Sequence, residues 1–436
     1  MRRGQRCRAL VRLAAERGRL HGYCACWQRR TFGDRMTRRS SYLTVLICGA
    51  VLLTFTTGLR QGFGLFLKPM TIDLGIGREV FALGIAINNL LWGAAGPFAG
   101  AIADKYGPGR VAVLGGLSYA AGLLTLGLAS DGTFIILGNI LIGLALSGTG
   151  FSVILAAVTR ATPPEKRSLA LGIVTAGGSF GQFSLIPYSH ALLETYGWSV
   201  ALMVMAATVL MVIPLARGVA GWQADTRAQG AQTLRQALAE AAGHKGFWLL
   251  TAGFFVCGFQ LVFVGTHLPA FLADQAMPTW VASWALALIG LFNIIGSYTA
   301  GVLGIRLRKK YVLAGIYLAR SGAFILFMIL PLSPVSVLIL ASLLGLLWLS
   351  TVPLTSGLVA QIFGPTYMST LYAIVFFSHQ VGSFLGAWLG GKAFDMLGSY
   401  DVMWWLCIAT GFFAAAMHWP IPDRPMPRLA TAGAAA

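Results

Sequence analysis

The run Gly100-Ala101-Ile102-Ala103-Asp104-Lys105-Tyr106-Gly107-Pro108-Gly109-Arg110 has a degenerate copy, GVLGIRLRKKY, at Gly301 to Tyr311. The copies lie 201 residues apart. A second set of matches repeats that offset. Gly172-Ile173-Val174 returns as Ala373-Ile374-Val375, Gly181 as Gly382, Phe183 as Phe384, Glu194 as Asp395 and Gly197 as Gly398. Two separate matches at one spacing make the chain a duplicated unit of about half its length. Each unit is mostly apolar, and a duplicated hydrophobic unit of membrane size implies a solute pathway between the halves.

Composition fixes the class. Hydrophobic residues make up 57% of the chain, charged residues only 11%, and the mean hydropathy is +0.74. Soluble domains carry about 25% charged residues, so the chain is an integral membrane protein. A spanning helix needs roughly 20 apolar residues. Twelve runs qualify, near 42–66, 81–103, 111–130, 133–158, 169–192, 198–215, 247–272, 281–304, 311–330, 335–359, 369–391 and 401–420. They are continuous and not alternating, which excludes a barrel.

The formal charge of +18 does not indicate nucleic acid, because of where the charge lies. Twelve arginines precede Ser40. With the N-terminus on the inside, the inner segments hold fifteen further Lys and Arg, from Lys105 to Arg428, against Lys68, Arg78 and Lys392 outside. That asymmetry places both termini in the cytoplasm. The expected organisation is a basic tail over 1–40, a six-helix bundle over 41–215, a linker over 216–246, a second six-helix bundle over 247–420 and a tail over 421–436. Leu234, Leu238 and Phe247 allow the linker a short amphipathic helix on the inner surface. An even number of helices per unit gives the halves one orientation, related by an axis along the membrane normal. Met36, followed by Thr37-Arg38-Arg39-Ser40 and the first span, reads as a candidate start, which the intact mass of natively expressed protein tests. The six cysteines show neither metal nor disulfide-framework spacing. His21 with Cys24 and Cys26 is a poor chelate, and no metal or cofactor is expected.

The Gly100–Arg110 run falls in a short inner loop between helices 2 and 3. Gly100 is expected to let helix 2 approach a neighbour closely, and Gly107, Pro108 and Gly109 to make the turn. Asp104 is placed to accept charge-assisted hydrogen bonds, so the cluster reads either as a state-dependent latch or as a turn with surface charges.

This loop, the twelve spans and the half-chain duplication resemble the major facilitator superfamily over residues 40–420. Gly100, Asp104, Lys105, Gly107 and Arg110 fall where that family has Gly, Asp, Arg/Lys, Gly and Arg/Lys. The resemblance implies two rocking six-helix bundles, with helices 1, 4, 7 and 10 lining the pathway, and makes Arg160 the basic partner of Asp104. The second copy has Ile305 in place of the acid. Within the superfamily, Arg60-Gln61-Gly62-Phe63-Gly64-Leu65-Phe66, Leu347 to Thr355 and Ser378 to Gly386 resemble a bacterial subgroup of the monocarboxylate-transporter-like branch. Animal members of that branch carry an Asp and an Arg four residues apart in helix 8; Asn293 and Ser297 stand there here. Gly181-Gln182-Phe183-Ser184 differs from the Gly-Pro motif of drug exporters.

An ionisable side chain at membrane depth is a functional candidate. Arg60, in the outer part of helix 1, reads either as the holder of a carboxylate or as snorkelling to the interface. Arg320 lies deep in helix 9, which the resemblance makes peripheral, and reads as structural. His379, in the middle of helix 11, is the interior group suited to titrate near neutrality; it is the candidate for proton coupling, against a neutral packing histidine. Gln61, Gln260, Asn293, Thr351 and Gln380 complete the expected substrate site, while Gly100, Asp104, Lys105, Gly107, Arg110 and Arg160 form the expected gate. Asn88, Asn89 and Gln182 read as interhelical contacts or further site residues.

The expectation is therefore a monomeric, multi-pass protein of the bacterial inner membrane, not an enzyme. Its partners are the lipid bilayer, a small organic anion and either protons or a counter-anion, with no nucleic acid. It would act as a secondary transporter of a monocarboxylate by alternating access. Drug or lipophile efflux on the same fold and a non-transporting sensor are the alternatives. No intramembrane cluster of the kind an enzyme needs occurs in the sequence.

Overall fold

A computed structural model describes residues 42–163, 166–220, 233–364 and 367–427. The readings of the 1–40 tail, of Met36 and of His21, Cys24 and Cys26 lie outside the described residues. Among the described residues all regular structure is helical. Inside a bilayer the backbone must bond within its own segment, and a continuous apolar run does so only as a helix.

Among the described residues eleven stretches are long and apolar enough to cross a membrane, and one of them, Ala170–Gly218, is two spans joined at Gly197, where φ is 75°. The twelve spanning helices are α1 (Tyr42–Asp73), α2 (Arg78–Ala103), α3 (Pro108–Gly127), α4 (Gly132–Ala161), α5 and α6 (170–196 and 198–218), α7 (Lys245–Asp274), α8 (Thr279–Arg306), α9 (Lys309–Ile329), α10 (Pro334–Phe363), α11 (Thr370–Leu397) and α12 (Asp401–His418). They form two pseudo-symmetric bundles of six.

The duplication is visible in the backbone. Positive φ occurs at Gly75 (62°) and Ala276 (55°), and again at Gly197 (75°) and Gly398 (68°), each pair 201 residues apart. Gly181 on α5 lets α1 approach so closely that a Cβ there would lie 2.2 Å from Thr54 O, and Gly382 on α11 repeats this against Phe255 O at 2.0 Å. Two spans are broken at matching depth: α4 at Gly150, and α10 at Trp348 to Ser350. Breaks at corresponding positions of two repeats point to a binding site at their interface.

Across the interface α2 packs on α11, and α5 on α8. The two ends of this interface differ. At the face bearing the α1–α2 turn, Arg78 of α2 makes a bidentate pair with Asp274 of α7, at 2.6 and 2.9 Å. Lys68 joins the same carboxylate at 3.0 Å. The Asp395 side chain on α11 accepts the backbone N–H groups of Arg78 and Glu79, at 3.0 and 2.8 Å, and so caps α2 from the opposite bundle. At the other face, Gly96 and Gly100 on α2, Gly172 on α5 and Gly301 on α8 have nothing within 4 Å of where a side chain would begin. The bundles are tied together across the cleft at the α1–α2 face.

Two sequence expectations are corrected. Gly100 makes no close approach; nothing lies within 4 Å of where its side chain would begin, and the end of α2 stands at the surface there, with Ala101 and Ile102 exposed. The linker helix runs Leu234–Gly243 behind a Thr233/Gln236 capping box. Ala237 and Ala241 are buried, Leu238 packs against the core and Phe247 is buried at the start of α7, so of the three expected apolar residues only Leu234, which is exposed, stands off the packing face.

Candidate functional site

The interior is reached from α1. This helix stops at Gln61 and passes through a 3-10 turn, Phe63–Phe66, before resuming. Gly64 in that turn abuts Gly265 O of α7, which closes the pathway just above Arg60. Arg60, Gln61, Phe63, Gly64, Ile85, Asn88, Leu261, Val262, Gly265 and Thr266 line a small pocket under this plug.

Half-buried Arg60 donates from Nη2 to Asn89 Oδ1. The backbone O of Asn89 accepts from Gln380 Nε2 of α11, at 2.9 Å. With that nitrogen committed, Gln380 Oε1 faces His379 Nδ1 at 3.0 Å. An amide oxygen only accepts, so Nδ1 carries the proton. A polar chain thus runs Arg60–Asn89–Gln380–His379 and crosses from one bundle to the other. Rings run beside it. The Arg60 guanidinium lies over Trp92 at 4.9 Å, Trp92 meets Phe376 edge-on at 5.9 Å, and Phe376 stacks on His379 at 5.5 Å.

Of the expected site residues, Arg60, Gln61, His379 and Gln380 are gathered about this crossing. Thr351 lies deeper, fully buried, with Oγ1 3.3 Å from Cys257 Sγ. Gln260 and Asn293 are turned to structural use. Gln260 is fully buried, donating to Cys407 O at 2.7 Å and accepting from Arg320 at 3.0 Å. Asn293 binds Ser179 of the opposite bundle at 2.9 Å, and its Oδ1 accepts the Leu349 N–H freed by the break in α10, at 2.9 Å. Ser297 donates to the same oxygen at 3.2 Å, so the two residues standing where animal relatives carry Asp and Arg bond each other. Arg320 on α9 is fully buried, and its Nη2 holds Leu347 O and Trp348 O at 2.6 and 2.9 Å. It fixes the last carbonyls before the break, where a cation is favoured.

The Gly100–Arg110 loop turns at Gly107, where φ is 94°. Lys105 and Arg110 are exposed there. The side chain of Asp104 lies outside the described residues. Arg160, half-buried at the end of α4, donates Nε–H to Ala156 O at 3.1 Å. In the second copy Ile305 is 86% exposed, and Arg308 turns to Asp423 beyond α12, at 3.1 and 2.5 Å. That guanidinium holds the Asp423 carboxyl below the usual carboxylate range.

Sequence reasoning missed Trp92, Phe376 and the Arg78–Asp274–Asp395 closure. Asn89 was visible only as one of several polar residues. The signal for Asn89 and Trp92 was their spacing of three, which puts both on one face of α2. The closure had a weaker signal, since Asp395 was already matched to Glu194 by the duplication.

Residues 46–387 match the model of the Major Facilitator Superfamily. The "Uncharacterized MFS-type transporter YcxA" of Bacillus subtilis (strain 168) is 25% identical over 80% of this chain and 87% of its own length. "Monocarboxylate transporter 13" of Rattus norvegicus is 25% identical over 74% of each chain. The "Oxalate:formate antiporter" of Oxalobacter formigenes is 20% identical over 85% of this chain and 89% of its own. Among solved structures, a bacterial homologue of the human lysosomal transporter Spinster, in an inward-facing and occupied conformation, shares the fold. Its TM-score is 0.68 at 15% identity, over 88% of this chain and 98% of that one. The chain belongs to the major facilitator superfamily, in its monocarboxylate-transporter-like branch.

Proposed function

We propose that this protein is a secondary transporter of a small monocarboxylate, working by alternating access in a bacterial inner membrane with both termini cytoplasmic. One observation carries the reading. Arg60 sits where the bundles meet, held by an amide oxygen and a ring face, with no carboxylate partner among the described residues. An arginine at membrane depth costs roughly 2.5–3.5 kcal/mol on insertion scales, so an unpaired one is retained for an anion that comes and goes. A guanidinium edge accepts a carboxylate bidentately. The relatives named for monocarboxylates and for oxalate and formate support the same class.

In the cycle a carboxylate arriving from the α2–α3 face displaces Asn89 Oδ1 from Arg60. The bundles, 41–215 and 247–420, then rock about the crossing. The Arg78–Asp274–Asp395 closure opens, and the Asp104–Arg160 region closes the opposite face. His379 is the proton carrier where transport is proton-coupled; without it the cycle runs as anion exchange.

A thermal-shift screen of the purified protein against small carboxylates tests this, because a ligand of the folded state raises the melting temperature. Carboxylates that stabilise the wild type should lose that effect in Arg60→Ala. A neutral lipophile stabilising both equally would move the protein to the efflux class.

A further inference from the structure

We propose that Trp92 is the positioning residue that aims Arg60 at its substrate, and that the break in α4 exists to seat it. This rests on the reading of Arg60 as the anion holder. A guanidinium has two kinds of surface: its N–H donors lie in the plane of its edge, and its face binds aromatic rings. α2 supplies one partner for each. Asn89 takes the edge, and Trp92, three residues on, lies at 4.9 Å from the guanidinium carbon. A carboxylate competes with Asn89 for the edge. It does not compete with Trp92, so the ring keeps the edge directed at the cleft while the amide is exchanged for substrate.

The seat is specific. A Cβ at Gly150 would lie 2.9 Å from Trp92 Nε1 and 2.4 Å from Leu146 O. Only a glycine at the interruption of α4 leaves room for the indole. Trp92 also meets Phe376 of the opposite bundle at 5.9 Å, and Phe376 stacks on His379 with the ring planes 10° apart. Rocking of α2 against α11 therefore moves the ring that holds Arg60.

The test is chemical modification of Arg60 by phenylglyoxal in the purified full-length protein, followed by peptide mass spectrometry. Trp92→Leu should raise the Arg60 modification rate on the order of tenfold, as expected for losing a partly desolvated cation–π contact. Trp92→Phe should restore most of the protection, and Gly150→Ala, which displaces the ring, should resemble Trp92→Leu. Equal rates in wild type, Trp92→Leu and Trp92→Phe would overturn the proposal. Propionate in the wild-type reaction tests the underlying reading separately. Protection of Arg60 by propionate supports an anion site, whereas modification unchanged by propionate and by the other screened carboxylates removes that site, whatever the Trp92 variants do.

Discussion

Arg60 of the first bundle and Arg320 of the second both lie among apolar helices, and the two are treated differently. Arg320 of the second bundle is fully buried and fixed by three oxygens, from Gln260, Leu347 and Trp348. Arg60 of the first is half-buried, with one amide oxygen on its edge and a ring on its face. A cation surrounded by acceptors holds structure, and one with an exchangeable acceptor is free to bind. Duplication gave both halves the same scaffold, and divergence left one arginine framing a broken helix and the other, in the function proposed above, reading substrate.

The largest effect should come from removing the frame. Arg320→Leu strands Gln260 Oε1 and two carbonyls in the interior, and should cost about 3 kcal/mol or more of stability. A sharp fall in melting temperature and a loss of monodisperse protein are expected; normal stability would erase the contrast between the arginines.

Next is the closure at the α1–α2 face, where a third arginine is paired across the bundles. Asp274→Asn weakens the bond to Arg78 and the pair with Lys68. Maleimide labelling of Gly265→Cys, a pocket position with nothing within 4 Å of its Cβ, should accelerate on the order of tenfold in the Asp274→Asn background, about 1.4 kcal/mol of population shift. Unchanged labelling would mean that the apolar plug at Gly64 alone seals that face.

A smaller effect separates the two copies of one turn. Gly75 and Ala276 share a left-handed backbone, but only Ala276 carries a side chain there, at φ 55°. Ala276→Gly should stabilise the fold by roughly 1 kcal/mol, while Gly75→Ala should destabilise it by a similar amount. Melting temperatures that moved in one direction for both would break the equivalence of the turns.

The smallest effect concerns the α2–α3 turn and its copy between α8 and α9. The second copy lacks its own acid and draws on Asp423. The folded pKa of Asp423 lies below its usual value because of Arg308, so its contribution is present above the unfolded pKa of about 3.9. It disappears as pH falls through the folded value. Asp423→Asn should therefore lower the melting temperature slightly at pH 7 and make no difference in strong acid. Arg308 is exposed, so high salt should shrink the effect at neutral pH as well; a difference that persisted in acid would contradict the pairing.

The fold was largely legible because helices at membrane depth need continuous apolar sequence, and because a 201-residue repeat survives in glycines where a side chain would clash or strain the backbone. Gly181 with Gly382 and Gly197 with Gly398 show this. The site was legible in part. Arg60, Gln380 and His379 stood out as polar residues in apolar runs, and they meet. Gln260 and Asn293 stood out equally and serve the broken helix, because the carbonyls and N–H groups that α10 releases cannot be seen in a sequence. Trp92 was hidden for the opposite reason: an aromatic residue in a membrane helix is ordinary until the guanidinium beside it is known. The closure depends on contacts across two bundles whose relative tilt no local pattern encodes.

The central claim is that an anion is carried at Arg60. Counterflow of a carboxylate selected by the thermal-shift screen, in proteoliposomes holding wild type or Arg60→Gln at matched protein levels, tests it most directly. A loss of counterflow of about 10- to 100-fold in Arg60→Gln, with the melting temperature of the unliganded protein close to wild type, is the predicted result. Wild-type counterflow in that variant would contradict the account.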